Sequence, residues 1–348
     1  MKRLVRCRIV RGFINSLFAV AAACAMGGCS ESIGGIANGG EASAGGVNNS
    51  QLRERAREAL KLGVGYEQLA TVRAYAVEAM QEVGGEKMRP WIRKAVLDES
   101  PAVRFAATMA LGTLGDRLGR DAVGKLANAG PPSDRIASIY YAHRIGDKSR
   151  THLLAQYLLD NGDPATRRHA AFVLGRLGEP GAIKLLARAM KDSDAGVRAN
   201  AVESMALLGS TEAESTLAGD CFGGAGAQET LGVLALGGLA KKKHRGVFVD
   251  RLAKAEHIET RLAAARALGM IGDRSGYDLA VESLDYEPTD DDDEDPAWNR
   301  RIRVREMAAL ALGDIGDRRA LPKLSEMLES ASDPRLQIAA AKAILQIL

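Results

Sequence analysis

The amino-acid sequence predicts an all-α superhelix of stacked helix pairs. Three observations carry that reading. An arginine recurs at Arg73, Arg104, Arg135, Arg167, Arg198, Arg261 and Arg305. Glu229 and Gln337 fill its slot in two degenerate copies, and the steps are 31, 31, 32, 31, 31, 32, 44 and 32 residues. A glycine follows eleven residues after seven of these positions, at Gly84, Gly115, Gly146, Gly178, Gly209, Gly272 and Gly316. Aromatic residues make up only 4 % of the chain, which suits helices packed through small side chains better than a β-rich fold.

The chain begins with an address. Lys2, Arg3, Arg6, Arg8 and Arg11 precede an apolar run from Phe13 to Met26, the charge-then-apolar layout of a secretory signal and short for a membrane span. Gly27, Gly28 and Cys29 follow. Small residues before a cysteine resemble the lipobox of bacterial lipoproteins, which implies a signal peptide over 1–28 and lipidation at Cys29. Met26 stands where leucine is usual, Ala21 to Cys24 offer a second candidate, and a plain cleaved signal or uncleaved anchor is the alternative. Ser30 rather than aspartate follows the cysteine, and the resemblance then implies an outer-membrane destination facing the periplasm.

Residues 29–50 are dominated by Gly, Ser and Asn and read as a flexible tether. The formal net charge of +3 belongs to the leader. Without residues 1–28 the balance turns to about −2, which removes the argument for nucleic-acid binding. With Cys7 and Cys24 in the leader and Cys29 at its end, Cys221 is the one cysteine of the body. It reads as a small buried hydrophobe, with a reactive thiol as the minority reading.

Residues 51–348 form the repeat region. Counting the residue before each arginine as slot 0, slots 0, 4, 8 and 11 share one helical face, occupied in one copy by Val197, Ala201, Met205 and Leu208. The slot-12 glycine permits the left-handed residue that ends a helix. Ser100-Pro101, Asp163-Pro164 and Asp333-Pro334 place a capping side chain before a first-turn proline. A second amphipathic helix follows each glycine, for example over Ala182–Met190.

This pattern resembles the HEAT repeat, in the short bacterial form named after phycobilisome lyase subunits. In that phase the Leu-rich helix comes first, and the chain holds about nine helix pairs in an α-α superhelix. The resemblance implies that the seven arginines form a structural ladder with nearby aspartates. It also implies that the arginine-bearing helices line the concave side. The one long step places an insertion at 286–299, expected as a loop between repeats that carries the acidic run Asp290–Asp295. A solvated loop is one reading; a divalent-cation or basic-partner site is the other, though the spaced ligands of an EF-hand are missing. Lys241 to Arg245 reads as a solvated basic turn.

Some HEAT-type proteins are enzymes. Deoxyhypusine hydroxylase takes its iron ligands from His-Glu pairs, but the five histidines here precede Arg144, Leu153, Ala170, Arg245 and Ile258. No Walker loop, Gly-x-Ser-x-Gly or metal-spaced cluster is present. The reading is therefore a non-enzymatic scaffold without cofactor or metal, bound to the membrane through its lipid and holding a protein or peptide partner. Slots 2, 6 and 9 of the arginine-bearing helices point away from the buried face, and Glu78, Glu203, Arg266 and Lys342 suit solvent there. Three consecutive copies instead offer Phe105, Met109, Ile136, Tyr140, His143, Arg168 and Phe172, an apolar strip expected to face a partner on the concave surface. The competing reading makes that strip core. The competing function is an envelope assembly component that stacks through its end surfaces, because the last helix lacks a polar outer cap.

Overall fold

A computed structural model describes residues 48–67, 69–223, 226–289 and 295–348. The expected signal peptide, Cys29, nearly all of the tether and Asp290–Glu294 lie outside them. The described residues are helical with no strand. Asn48 caps the first helix by accepting from the amides of Ser50 and Gln51, so the fold begins two residues before the boundary expected from sequence.

Among the described residues nine outer helices alternate with nine inner ones, seven of which carry the recurring arginine. The first four are α1 (Asn49–Val64), α2 (Ala70–Val83), α3 (Arg89–Ala95) and α4 (Pro101–Thr113). Next come α5 (Arg120–Ala129), α6 (Pro132–Arg144), α7 (Leu153–Leu159), α8 (Pro164–Leu177), α9 (Ile183–Ala189) and α10 (Ala195–Leu207). Then follow α11 (Thr211–Asp220), α12 (Gly226–Gly238), α13 (Arg245–Lys254) and α14 (Ile258–Met270). The last four are α15 (Tyr277–Glu282), α16 (Ala297–Ile315), α17 (Leu321–Ser330) and α18 (Pro334–Ile347). The insertion is shorter as a loop than expected, because α16 already begins at Ala297.

Local chemistry sets the helix ends. Asp163 caps α8 through the amides of Ala165 and Thr166 at 3.1 and 2.9 Å. Ser100 does not cap α4; its own amide donates to Asp98 instead. Gly178 and Gly316 end α8 and α16 in the left-handed region, at φ 74° and 71°. In the first copy that residue is Gly85 rather than Gly84. In the degenerate sixth copy the same slot holds Ala240, at φ 49°, where a Cβ crowds the backbone.

The superhelix closes on itself. The C-terminal helix α18 packs against α1 and α2 as well as α16 and α17. Arg53 donates to the carbonyl of Leu348, and Arg55 pairs with Glu329. Gly63 admits Ile338 so closely that a methyl there would lie 2.8 Å from its Cδ1 atom. Ile338 and Ile344 are buried, so the uncapped last helix is covered by the first pair. The expectation of end surfaces free for stacking is thereby corrected: the two ends cover each other. One hydrophobic core runs from Leu52 through Tyr141 and resumes from Leu262 to Ile344, uniting the chain's two ends.

The arginine-bearing helices form the inner ring. Each packs on the next, except between α10 and α12, where α11 bridges them. The slot-9 glycines allow this close approach: a methyl at Gly112 would lie 2.9 Å from the Tyr140 ring, and one at Gly313 would lie 2.9 Å from Ala343 Cα.

Candidate functional site

The recurring arginines fasten the chain that precedes their own helix, and Arg73, Arg104 and Arg167 also reach a carboxylate of the next pair. Arg73 donates to Asp98 at 2.8 and 2.9 Å and to the carbonyls of Tyr66 and Glu67. Arg167 repeats this with Asp192 and the carbonyls of Asn161 and Gly162. Arg104 reaches Asp134 at 2.8 Å together with the Asp98 and Glu99 carbonyls. Arg305 reaches the Tyr286 carbonyl and Glu287. Arg198 uses the carbonyls of Asp192 and Ser193, Arg261 that of Leu252, and Arg135 that of Gly130. The side chains thus satisfy carbonyls left open where the preceding helix ends. Bidentate carboxylates hold the planar guanidinium in Arg73 and Arg167.

The strip residues face the centre of the ring, but the ring is too tight to leave most of them a surface; Phe172 is partly buried. Phe105, Met109, Ile136 and Tyr140 are at most 4 % exposed and His143 9 %. The Phe105 ring lies 4.6 Å from His169 and 6.4 Å from Phe172, joining α4 to α8 across α6. Tyr140 shares a hydrogen bond of 3.0 Å with Thr113. Arg168 sits apart, 3.3 Å from Asp194 and partly exposed. The exposed apolar strip is therefore corrected to a second core: the helix phase read from sequence is right, and closure removes the solvent.

Closure also buries the charges that suited solvent. Glu78, Glu203, Arg266 and Lys342 are all 8 % exposed or less. Three of them pair by a rule the sequence reading missed, in which slot 6 of one copy meets slot 10 of an adjacent one. Arg176 reaches Glu203 at 3.4 Å, Arg266 reaches Asp314 at 2.7 Å, and Lys342 reaches Glu82 at 2.8 Å. Opposite signs at those two slots were the signal available. Burial, and after it the charge of Glu82, pushes the Glu78 carboxyl well above the usual range. Burial likewise raises Glu203, and raises Glu306 to about 7. It lowers His169 to about 4.

The other singled-out features also gain partners. Lys241, Lys243 and His244 converge on Glu214, so the basic turn is pinned rather than freely solvated. Burial opposes ionisation of Glu214, yet those hydrogen bonds prevail and bring it down to about 2. Cys221 is buried, with its thiol directed at the Leu217 carbonyl and its pKa raised to about 12 by burial, the environment of an unreactive thiol. Asp295, at the end of the acidic run, holds Arg303 at 2.6 Å, and Arg303 also holds Glu259. Among the described residues no group of three or more His, Cys, Asp or Glu side chains is placed to hold a metal, and no helix is long and apolar enough to cross a membrane.

The recess the structure does open lies on the outside, between the third and fourth pairs. Its cavity of about 480 Å³ is floored by the outward face of α6 and walled by α5 and α7. Turns from Ile145 to His152 join α6 to the seven-residue α7 along the rim of the recess. Val123, Ile139, Ile145 and Leu153 line it together with Arg120, Arg135 and Arg150.

Fold and side-chain geometry together define a closed α-α solenoid fastened by an arginine ladder. The chain is a HEAT-repeat protein. HEAT repeats match over residues 67–142, 151–219 and 292–345, more than half its length, and a PBS lyase HEAT-like repeat matches over 260–284. The chain is similar to a HEAT repeat-containing taxis protein of Halobacterium salinarum, 28 % identical over 178 residues that make up 44 % of this chain and 42 % of the other. It thus spans under half the length of that curated relative. Among solved structures, the phycocyanin lyase complex of CpcE and CpcF from Nostoc is 16 % identical, covers 80 % of this chain and 100 % of its own, and has a TM-score of 0.42. Human deoxyhypusine hydroxylase in complex with glycerol is 15 % identical, covers 86 % and 98 %, and has a TM-score of 0.36. Likeness at that level carries no argument about function.

Proposed function

We propose that this HEAT-repeat scaffold is exported, anchored by a lipid on Cys29, and holds a protein or peptide partner without catalysing a reaction. The binding surface is external, because the ring's inner face is occupied by its own core. The observation that carries this reading is the arginine-rimmed apolar recess between α5, α6 and α7, the kind of concave surface that recognises partners. The route to the envelope rests on the basic start, the apolar run and Gly27-Gly28-Cys29.

Helix direction adds an orientation. Consecutive helices are joined by short connections and run antiparallel, so all outer helices start at one edge of the ring. The chain enters there at Asn48, while the insertion before α16, with the exposed Trp298, lies at the opposite edge. A tether of about twenty residues has a reach on the order of 25 Å, so the ring stands off the membrane with that insertion facing outward.

The test is fatty-acid labelling of wild type and Cys29→Ser in a bacterial host, followed by envelope fractionation. Wild type incorporates label and sediments with membranes; the variant does neither and accumulates as precursor. Equal labelling of both overturns the anchor. Chemical cross-linking on intact envelopes then tests the scaffold, which requires a partner joined to the ring in stoichiometric yield.

A further inference from the structure

We infer that the recess between the third and fourth pairs binds an acidic peptide segment whose carboxylates alternate with apolar side chains. The inference rests on the scaffold reading and names its site and the chemistry of its partner.

The argument starts from the ladder. In neighbouring copies Arg104 and Arg167 each reach a carboxylate and two carbonyls. Arg135 uses only its Nε, donating to the Gly130 carbonyl at 2.8 Å. That single bond orients the guanidinium and leaves its two terminal nitrogens for another acceptor. Arg120 and Arg150 line the same recess, and neither forms an ion pair with a described carboxylate. Asp147 is the acid in the lining; it accepts from the Ser149 amide at 3.0 Å, and hydrogen bonding from Ser149 first, with the charges of Arg150 and Arg120 after it, lowers its carboxyl. Three arginines against the one carboxylate of Asp147 leave this recess with a net positive charge, while Arg104 and Arg167 in the flanking copies hold Asp134 and Asp192.

The lining selects among anions. A guanidinium fork matches a carboxylate through two parallel hydrogen bonds. Between the arginines lie Ile145 and Leu153, partly exposed above the buried Val123 and Ile139, with Tyr157 at the far wall. An inorganic polyanion leaves that apolar floor wet, whereas a peptide places an apolar side chain on it and a carboxylate on either side. Arg120 begins α5 at one edge of the ring and Arg135 begins α6 at the other, so the recess runs along the helices and suits an extended segment. Its volume of about 480 Å³ falls in the range of pockets that enclose small ligands or a few side chains.

The experiment is fluorescence anisotropy with a labelled acetyl-Glu-Leu-Glu-Leu-Glu amide at low salt, using the protein without its leader. Saturable binding is expected for wild type, weakened at least tenfold in Arg135→Gln and in Arg150→Gln. Lys125→Gln, on the same helix as Arg120 but outside the recess, keeps wild-type binding, and circular-dichroism melts check that each variant is folded. The Gln-Leu-Gln-Leu-Gln peptide does not bind, and added polyphosphate competes weakly. Absence of saturable binding, equal binding by the two arginine variants, or tight polyphosphate binding without peptide binding overturns the inference. If those results come with a cross-linked partner still held on envelopes, the scaffold reading survives and this site alone falls. Peptide binding with no envelope partner is the reverse case: the recess stands as a site and the scaffold reading fails.

Discussion

Lys342 in the last helix donates to Glu82 in the first arginine-bearing helix at 2.8 Å, and Lys342 is fully buried. The pair obeys the rule that joins Arg176 to Glu203 and Arg266 to Asp314 between adjacent copies. The ring therefore treats its first and last pairs as neighbours like any others. Polar pairing at this seam, beside the apolar packing of Ile338 on Gly63, makes closure directional.

Lys342→Met should destabilise strongly, by about 3–5 kcal/mol, because it strands Glu82 as a buried charge close to Glu78. Lys342→Met combined with Glu82→Met should recover most of the loss, since an apolar pair replaces the ions. Guanidinium denaturation of the three proteins checks this. A single variant as stable as wild type would show that the seam is open in solution.

Tyr140→Ala should cost about 3–5 kcal/mol, the magnitude for emptying an aromatic site in a core. The side chain is 4 % exposed and hydrogen-bonded to Thr113. Thermal melts decide between this outcome and the near-zero change that a solvent-facing strip would give.

Ala240→Gly should stabilise the protein by roughly 0.5–1 kcal/mol. Ala240 holds φ 49° in the slot where other copies place a left-handed glycine, and removal of its Cβ relieves a cost of about 1–2 kcal/mol, partly offset by the freer unfolded chain. An unchanged or lower denaturation midpoint would contradict the strain.

The contribution of Glu306 to stability should decline as pH rises from 4.5 to 7. The Glu306 carboxyl titrates near 7 in the folded ring, against an ordinary value of 4.5. At this group the folded state binds more protons than the unfolded one through that window, so its share of the unfolding free energy falls with pH, while His169, lowered to about 4, works in the opposite direction. Glu306→Gln should then be more stable than wild type at pH 8, by up to about 3 kcal/mol, and no more stable than wild type at pH 4. Denaturation at both pH values tests this, and a gain of equal size at pH 4 would remove the titration as its cause. At the acid end the sign reverses: Glu214, held near 2, contributes stability above 4.5 that is lost as pH falls toward 2.

The sequence alone determined the helices, their pairing and their phase. Arginine and glycine slots repeat in sequence, and the physics behind them is local: in five of the seven copies a side chain reaching carbonyls five to seven residues back, a left-handed residue ending a turn, and an apolar face of period 3.6. Tertiary structure decided what lies on the far side of each inner helix. Phe105, Tyr140, Glu78 and Lys342 occupy slots that do point inward as read. Whether those slots meet water depends on curvature, a small angle per repeat that accumulates over nine pairs and is written in no single copy. Once Ile338 reaches Gly63 the ring is shut, the inner slots become core, and the pairing of Lys342 with Glu82 becomes possible. The outer recess is likewise tertiary, for Arg120, Arg135 and Arg150 come from three separate segments that line one cavity only in the fold.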